Sequence, residues 1–299
     1  MGGSKWVTLW KVNADGTRTK VGRITRKQQQ KILEAQKRTQ QLAGMTGMRR
    51  QPEAPVIKVK SFRDKINEAQ TDGELITTLN EKYSFVAPGV VTRNDRDMVK
   101  RATRTLDELE EQYPFMKGVI SGLEFAVTPG SPAAMHAKFS SKEGLISQNF
   151  KFGEGWDIAD NQEFYTGSER GHHPPNQTPE STVAHEFGHA IHNYILGKKL
   201  NEAYQRSHIE AIMLIEDIKH GKALAYLEKR AVESLGYKQP AAVRGKISGY
   251  AKNAKSYRSN PTSESFAEAF ADVYVNGDYA SDVSKAYVKT LLDEARSFQ

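Results

Sequence analysis

His185 and His189 stand four residues apart, with Glu186 directly after the first, in the run His185-Glu186-Phe187-Gly188-His189. That spacing constrains the backbone more than any other feature of the chain. Residues i and i+4 share a face only on an α-helix, where two imidazoles can converge on one point. The flanking residues predict such a helix. Thr178, Pro179 and Glu180 supply an N-cap, a proline at the first helical position and an acid in the first turn. Val183, Phe187, Ala190, Ile191 and Ile195 give apolar positions, and Gly197 reads as the stop. Two stacked imidazoles suit a zinc ion, and a glutamate beside the metal can take a proton from a water. Alone, the pentapeptide also fits a surface helix that happens to carry two histidines.

A hydrolytic zinc site takes three protein ligands and keeps one position open, so two histidines leave the set one short. Glu264, Glu268 and Asp272 recur every fourth residue in a second run of good helix formers, Glu264-Ser265-Phe266-Ala267-Glu268-Ala269-Phe270-Ala271-Asp272. Phe266, Ala267 and Phe270 lie to the sides and can anchor that helix in a core. By itself an acidic stripe is a solvated face. Opposite a histidine helix that lacks a ligand, it becomes the source of the third.

The two segments, His185-Glu-Phe-Gly-His-Ala190 and Glu264-Ser-Phe-Ala-Glu-Ala-Phe270, resemble gluzincin metallopeptidases. The likeness is to the catalytic domain of anthrax lethal factor and to peptidase-like domains of phage head-associated proteins, and it covers roughly the second half of the chain. It implies that His185, His189 and Glu264 bind Zn2+ and that Glu186 is the general base. It further implies a tyrosine seven residues before the third ligand, where Tyr257 stands. Ser248-Gly249-Tyr250-Ala251 resembles a Ser-x-Tyr-Ala segment of the phage relatives, which makes Tyr250 the alternative. A phenol donor suits the scissile carbonyl or the tetrahedral oxyanion, and Tyr257 is the preferred candidate. The resemblance also implies an edge strand before the motif helix that pairs with an extended peptide, a role falling to the strand at Ile146–Phe152.

His192 lies three residues beyond His189. A metzincin would carry a third histidine at position 195, which is Ile, so that pattern is excluded. His192 therefore reads as a packed residue beside the site. Glu268, one turn after Glu264, reads as a carboxylate that holds a ligand histidine by its free ring nitrogen, or as the ligand itself. His172-His173-Pro174-Pro175 reads as a surface loop, with a rim of the cleft as the alternative. Gly188 costs helix stability and implies the close approach of another segment.

The chain has no cysteine, which excludes disulfides, thiolate zinc sites and cysteine nucleophiles. It shows neither a membrane-length apolar run nor a signal-like N-terminus, so the expectation is a protein that is not Sec-secreted and has no membrane partner. Charge is uneven. Residues 1–66 hold 16 Lys and Arg against 4 Asp and Glu, a net +12, and the whole chain carries +7, which leaves −5 for the rest. Within that basic end Trp6–Val12 and Arg18–Thr25 flank Asn13-Ala14-Asp15-Gly16 as a hairpin. Arg26–Leu42 reads as a polar helix and Gly44–Pro55 as a linker. Such an extension fits an acidic partner, a capsid surface or nucleic acid, held by charge, or else a solvated tail.

Residues 67–299 are expected to form a mostly helical α+β domain with a small mixed sheet, zincin-like by the resemblance. Asn94 caps a helix to Gln112, with Val99, Ala102, Leu106 and Leu109 on one side. Leu123–Thr128, Ala134–Phe139 and Ile146–Phe152 read as strands, the last two joined as a hairpin. Asn201–Ile218, Ala223–Leu235 and Ser281–Arg296 read as helices. The function expected from all this is a zinc-dependent metalloendopeptidase cleaving a protein substrate, set in a bacterial host cytoplasm or a virion. The alternative is a virion structural or interaction protein that keeps the fold and metal with little turnover.

Overall fold

The computed structural model describes residues 6–12, 18–25, 27, 30, 60–87, 96–125, 133–140, 144–152, 171–257 and 259–299, and the chain divides into two units, Met1–Val59 and Lys60–Gln299. In the first unit β1 (Trp6–Val12) runs antiparallel to β2 (Arg18–Thr25), Trp6 opposite Thr25 and Val12 opposite Arg18. These are the two arms of the expected hairpin. The expected polar helix and linker lie almost wholly outside the described residues.

The second unit starts earlier than position 67. Ser61 caps α1 (Phe62–Glu68) with a reciprocal box: its hydroxyl accepts from the Asp64 amide, and the Asp64 carboxylate accepts from the Ser61 amide. Ile66 of this helix is fully buried in the main core. Residues 60–66 therefore belong with the domain that follows. Thr71 and Glu74 repeat the same box at α2 (Asp72–Leu79). On α3 (Arg96–Gln112) the predicted stripe Val99, Ala102, Leu106 and Leu109 is buried throughout.

Four strands form a mixed sheet in the order β3 (Phe85–Ala87), β4 (Gly122–Phe125), β6 (Gly144–Phe152), β5 (Ala133–Ser140). β3, β4 and β6 are parallel, and β5 is antiparallel to β6 as the predicted hairpin. This order overturns one expectation. The strand at Ile146–Phe152 is not an edge, because β4 and β5 occupy its two sides; among the described strands the edge beside it is β5. Gln148 ties β6 to the motif helix, its buried side-chain amide donating to the Ala190 carbonyl at 3.0 Å.

That helix, α4 (Pro179–Arg206), begins as predicted, with a Thr178–Ser181 capping box and Pro179 in its first turn. It does not stop at Gly197. A Cβ there would lie 2.2 Å from the Leu145 Cβ, so glycine serves the crossing of β6 over the helix rather than a helix end. The break comes at Ser207, which caps α5 (His208–Lys219) with its hydroxyl and splits the expected Asn201–Ile218 helix in two. α6 (Ala225–Glu233), α7 (Arg244–Ile247), α8 (Gly249–Asn253), α9 (Pro261–Asn276) and α10 (Asp282–Arg296) complete a mostly helical α+β fold. Phe187, Ile191 and Ile195 of α4 join Phe266 and Phe270 of α9 and Tyr287 and Leu291 of α10 in one core. Among the described residues no helix is long and apolar enough to cross a membrane.

Candidate metal centre

The site is made where α4 and α9 cross. Asn260 caps α9 by accepting from the Thr262 amide, and Pro261 occupies the first turn. Phe266 and Phe270 anchor the helix, and Glu264, Glu268 and Asp272 are all buried, so the acidic stripe faces inward rather than toward solvent. Gly188 permits the crossing: a Cβ there would fall 2.9 Å from the Ala267 Cα and 3.1 Å from the Phe270 Cβ.

His185, His189 and Glu264 bring one donor atom each to a common point. The two Nε2 atoms are 3.1 Å apart, and Glu264 Oε2 lies 3.4 Å from each. Zinc bonds of about 2.0–2.2 Å in tetrahedral array put neighbouring donors roughly 3.3–3.6 Å apart, so this triangle is close to the size of one tetrahedral face. Glu264 Oε2 is buried and has no hydrogen-bond partner among the described residues, although an atom of that kind ordinarily finds one. Burial would raise the Glu264 carboxyl, yet the two imidazoles hold it far below its usual range. Burial opposes a proton on His185, yet Glu264, Glu268 and Glu186 hold its pKa well above the ordinary value. The donor set requires positive charge at its centre, from a cation or from imidazole protons. The residues present fit a divalent zinc ion.

Each ring's other nitrogen is also held. His185 Nδ1 meets Glu268 Oε1 at 3.0 Å, and His189 Nδ1 meets Ser263 Oγ at 2.9 Å. α9 thus supplies the carboxylate donor and both orienting groups. Glu268 stands behind His185 while Glu264 stands at the donor triangle, which separates the two glutamates that the spacing alone left interchangeable. Asp272, the third of the stripe, turns elsewhere: it accepts from Asn276 at 2.8 Å and from the Ser281 amide at 3.2 Å.

Glu186 is 7% exposed, and its charge acts on both His185 and Tyr250. The ring of Tyr250 meets that of His185 at 6.3 Å. Burial first, and then the Glu264 charge, raise the Tyr250 pKa, which keeps its proton available for donation. Tyr257 stacks on Tyr250 at 5.3 Å with the planes 10° apart, and half of it is exposed. His192 is buried against Phe266 at 6.3 Å and is not one of the three converging donors.

Sequence reading missed two members. Ser263 is one of two serines in the first turns of its helix and carries no periodic signal. His173 stands in a loop before the motif helix, yet its Nδ1 lies 3.3 Å from Glu268 Oε1. Only the neighbouring His172 and the unusual His-His-Pro-Pro run marked that loop. Set against family models, curated proteins and solved structures, the chain matches none.

Proposed function

We propose that this chain is a zinc-dependent metalloendopeptidase of gluzincin type. The reading is carried by the triangle of His185 Nε2, His189 Nε2 and Glu264 Oε2, with separations of 3.1 to 3.4 Å, beside the buried carboxylate of Glu186. Zinc held by these three residues supplies Lewis-acid polarisation of a carbonyl and acidifies a water to near neutrality. Glu186 accepts a proton from the attacking water as its oxygen joins the acyl carbon. It then delivers that proton to the amide nitrogen as the C–N bond breaks, so that one water is consumed per bond cut. The Tyr250 phenol donates toward the developing oxyanion, and Tyr257 supports it by stacking. An extended peptide has an edge to pair with at β5, by backbone hydrogen bonds that favour a protein substrate.

The biological setting follows from the resemblance to phage head-associated proteins and from the basic first unit. A capsid surface, an acidic protein or nucleic acid is the partner that such charge would hold. Metal analysis and cleavage of a denatured protein by the purified chain test the proposal. Wild type is expected to carry zinc. His185→Ala loses it, whereas Glu186→Gln keeps it and loses cleavage by about 10²-fold or more. Zinc retained by His185→Ala would overturn the ligand assignment, and full activity in Glu186→Gln would overturn the mechanism. Wild type with zinc but without cleavage would instead mark an interaction protein built on the same fold.

A further inference from the structure

His173 is a part of the site that the hydrolytic steps above do not use. The segment that carries it is tied down on both sides. Gly171 and His172 accept backbone hydrogen bonds from Gly249 and Tyr250, both at 2.7 Å, which joins the segment to the start of α8, the helix bearing the phenol. A Cβ on Gly249 would lie 2.8 Å from the Gly171 carbonyl oxygen, so glycine lets the two backbones meet. Further on, the Asn276 amide donates to the Pro175 carbonyl at 3.1 Å and the Asn176 amide donates to Asn276 Oδ1 at 2.8 Å. The far end of the segment is thereby fixed to the end of α9.

Between these ties, two of the contacts of His173 bear on the site. Its Nδ1 lies 3.3 Å from Glu268 Oε1, the oxygen that also meets His185 Nδ1 at 3.0 Å. Its ring packs against Tyr250 at 5.7 Å with a 31° tilt. Among the described residues Glu268 Oε2 has no hydrogen-bond partner, so no hydrogen bond on that side fixes the rotation of the carboxylate. The terminal torsion of a glutamate is broad and soft. Two ring nitrogens meeting at Oε1 are what set its direction.

We propose that His173 is a positioning residue for both halves of the site. Its hydrogen bond keeps Glu268 turned toward the ligand His185, and its ring supports Tyr250. This inference rests on the metallopeptidase reading and extends it to a loop outside both motifs. Groups that orient a metal-bound histidine change metal affinity by about 10–100-fold when removed. Here the orienting carboxylate is itself oriented, one residue further out.

Two substitutions in the full chain separate the contacts. His173→Phe keeps a ring beneath Tyr250 and removes the donor to Glu268. His173→Asn keeps an N–H donor near the place of Nδ1 and removes the ring. The His173 side chain is 27% exposed, so neither change opens a large buried cavity; thermal melts in chelator check that both variants fold. Zinc affinity is read by chelator competition, and the visible spectrum of the cobalt-substituted protein reports ligand geometry.

The Phe variant is expected to bind zinc about tenfold more weakly with shifted cobalt bands, and the Asn variant to stay within about threefold of wild type. On a peptide substrate the Asn variant should lose kcat with KM little changed. Zinc affinity equal to wild type in the Phe variant would overturn the inference, as would equal loss in both, which means packing alone. A wild type that takes up no zinc would remove the metallopeptidase reading and this inference together.

Discussion

His192 sits one turn beyond a candidate ligand histidine and is nonetheless a neutral packing residue. Its ring is buried against Phe266, and its Nδ1 has no hydrogen-bond partner among the described residues. Burial, reinforced by the charge of His189, lowers its pKa from 6.5 to about 3. A depressed folded value means that the unfolded chain takes up this proton first as the solution is acidified. The stabilisation is complete above pH 6.5 and is lost between there and about pH 3, at about 1.4 kcal/mol per pH unit for one group. His192→Leu removes that titration and leaves an apolar side chain in an apolar place. Its unfolding free energy, measured in denaturant with chelator present, should fall less steeply than wild type below pH 6.5. Parallel profiles would show that the acid sensitivity comes from other groups.

The pair of helices that makes the site invites a test at Gly188. In an exposed helix, Gly→Ala stabilises by about 1 kcal/mol. Here the added methyl would lie 2.9 Å from the Ala267 Cα, a backbone atom that moves only if α9 moves. Gly188→Ala should therefore destabilise the fold by about 1–3 kcal/mol, and it should weaken zinc binding because His189 and Glu264 come from opposite sides of that crossing. Denaturant unfolding and chelator competition read the two effects, and a stabilised variant would show that α9 yields freely. The same crossing shows what was legible beforehand. Both motif helices, the Thr178 cap of the first and their inward residues follow from local spacing, because i, i+4 geometry and N-caps are properties of a single segment. The order of the strands is not local. Leu145 crosses α4 at Gly197, and β5 lies outside β6, through contacts between segments far apart in the chain. A glycine read as a stop was therefore a crossing, and the strand read as an edge was internal. The contact of His173 with Glu268 was illegible for the same reason, since only the folded backbone brings the two together.

The division of the chain follows from where burial begins rather than from where charge ends. Residues 1–59 carry 13 Lys and Arg against 3 Asp and Glu, a net +10, so the electrostatic character of the first unit survives when the boundary moves from 66 to 59. The seven residues in dispute behave as part of a core. Ser61 caps α1, Ile66 is fully buried, and Arg63 reaches Asp107 on α3 at 2.7 Å. Burying an isoleucine contributes about 1.5–3 kcal/mol and a capping side chain about 1. Removing residues 1–59 should leave zinc content and thermal stability unchanged, while salt-dependent retention on a polyanion such as heparin is lost. Removing residues 1–66 should lose the same retention and, in addition, several kcal/mol of unfolding free energy, because the helix loses its cap and its inward anchor. Comparing the melts of the two truncations decides the matter. Equal melting temperatures would place α1 outside the cooperative unit, and unaltered heparin retention would remove the basic first unit as the polyanion-binding part.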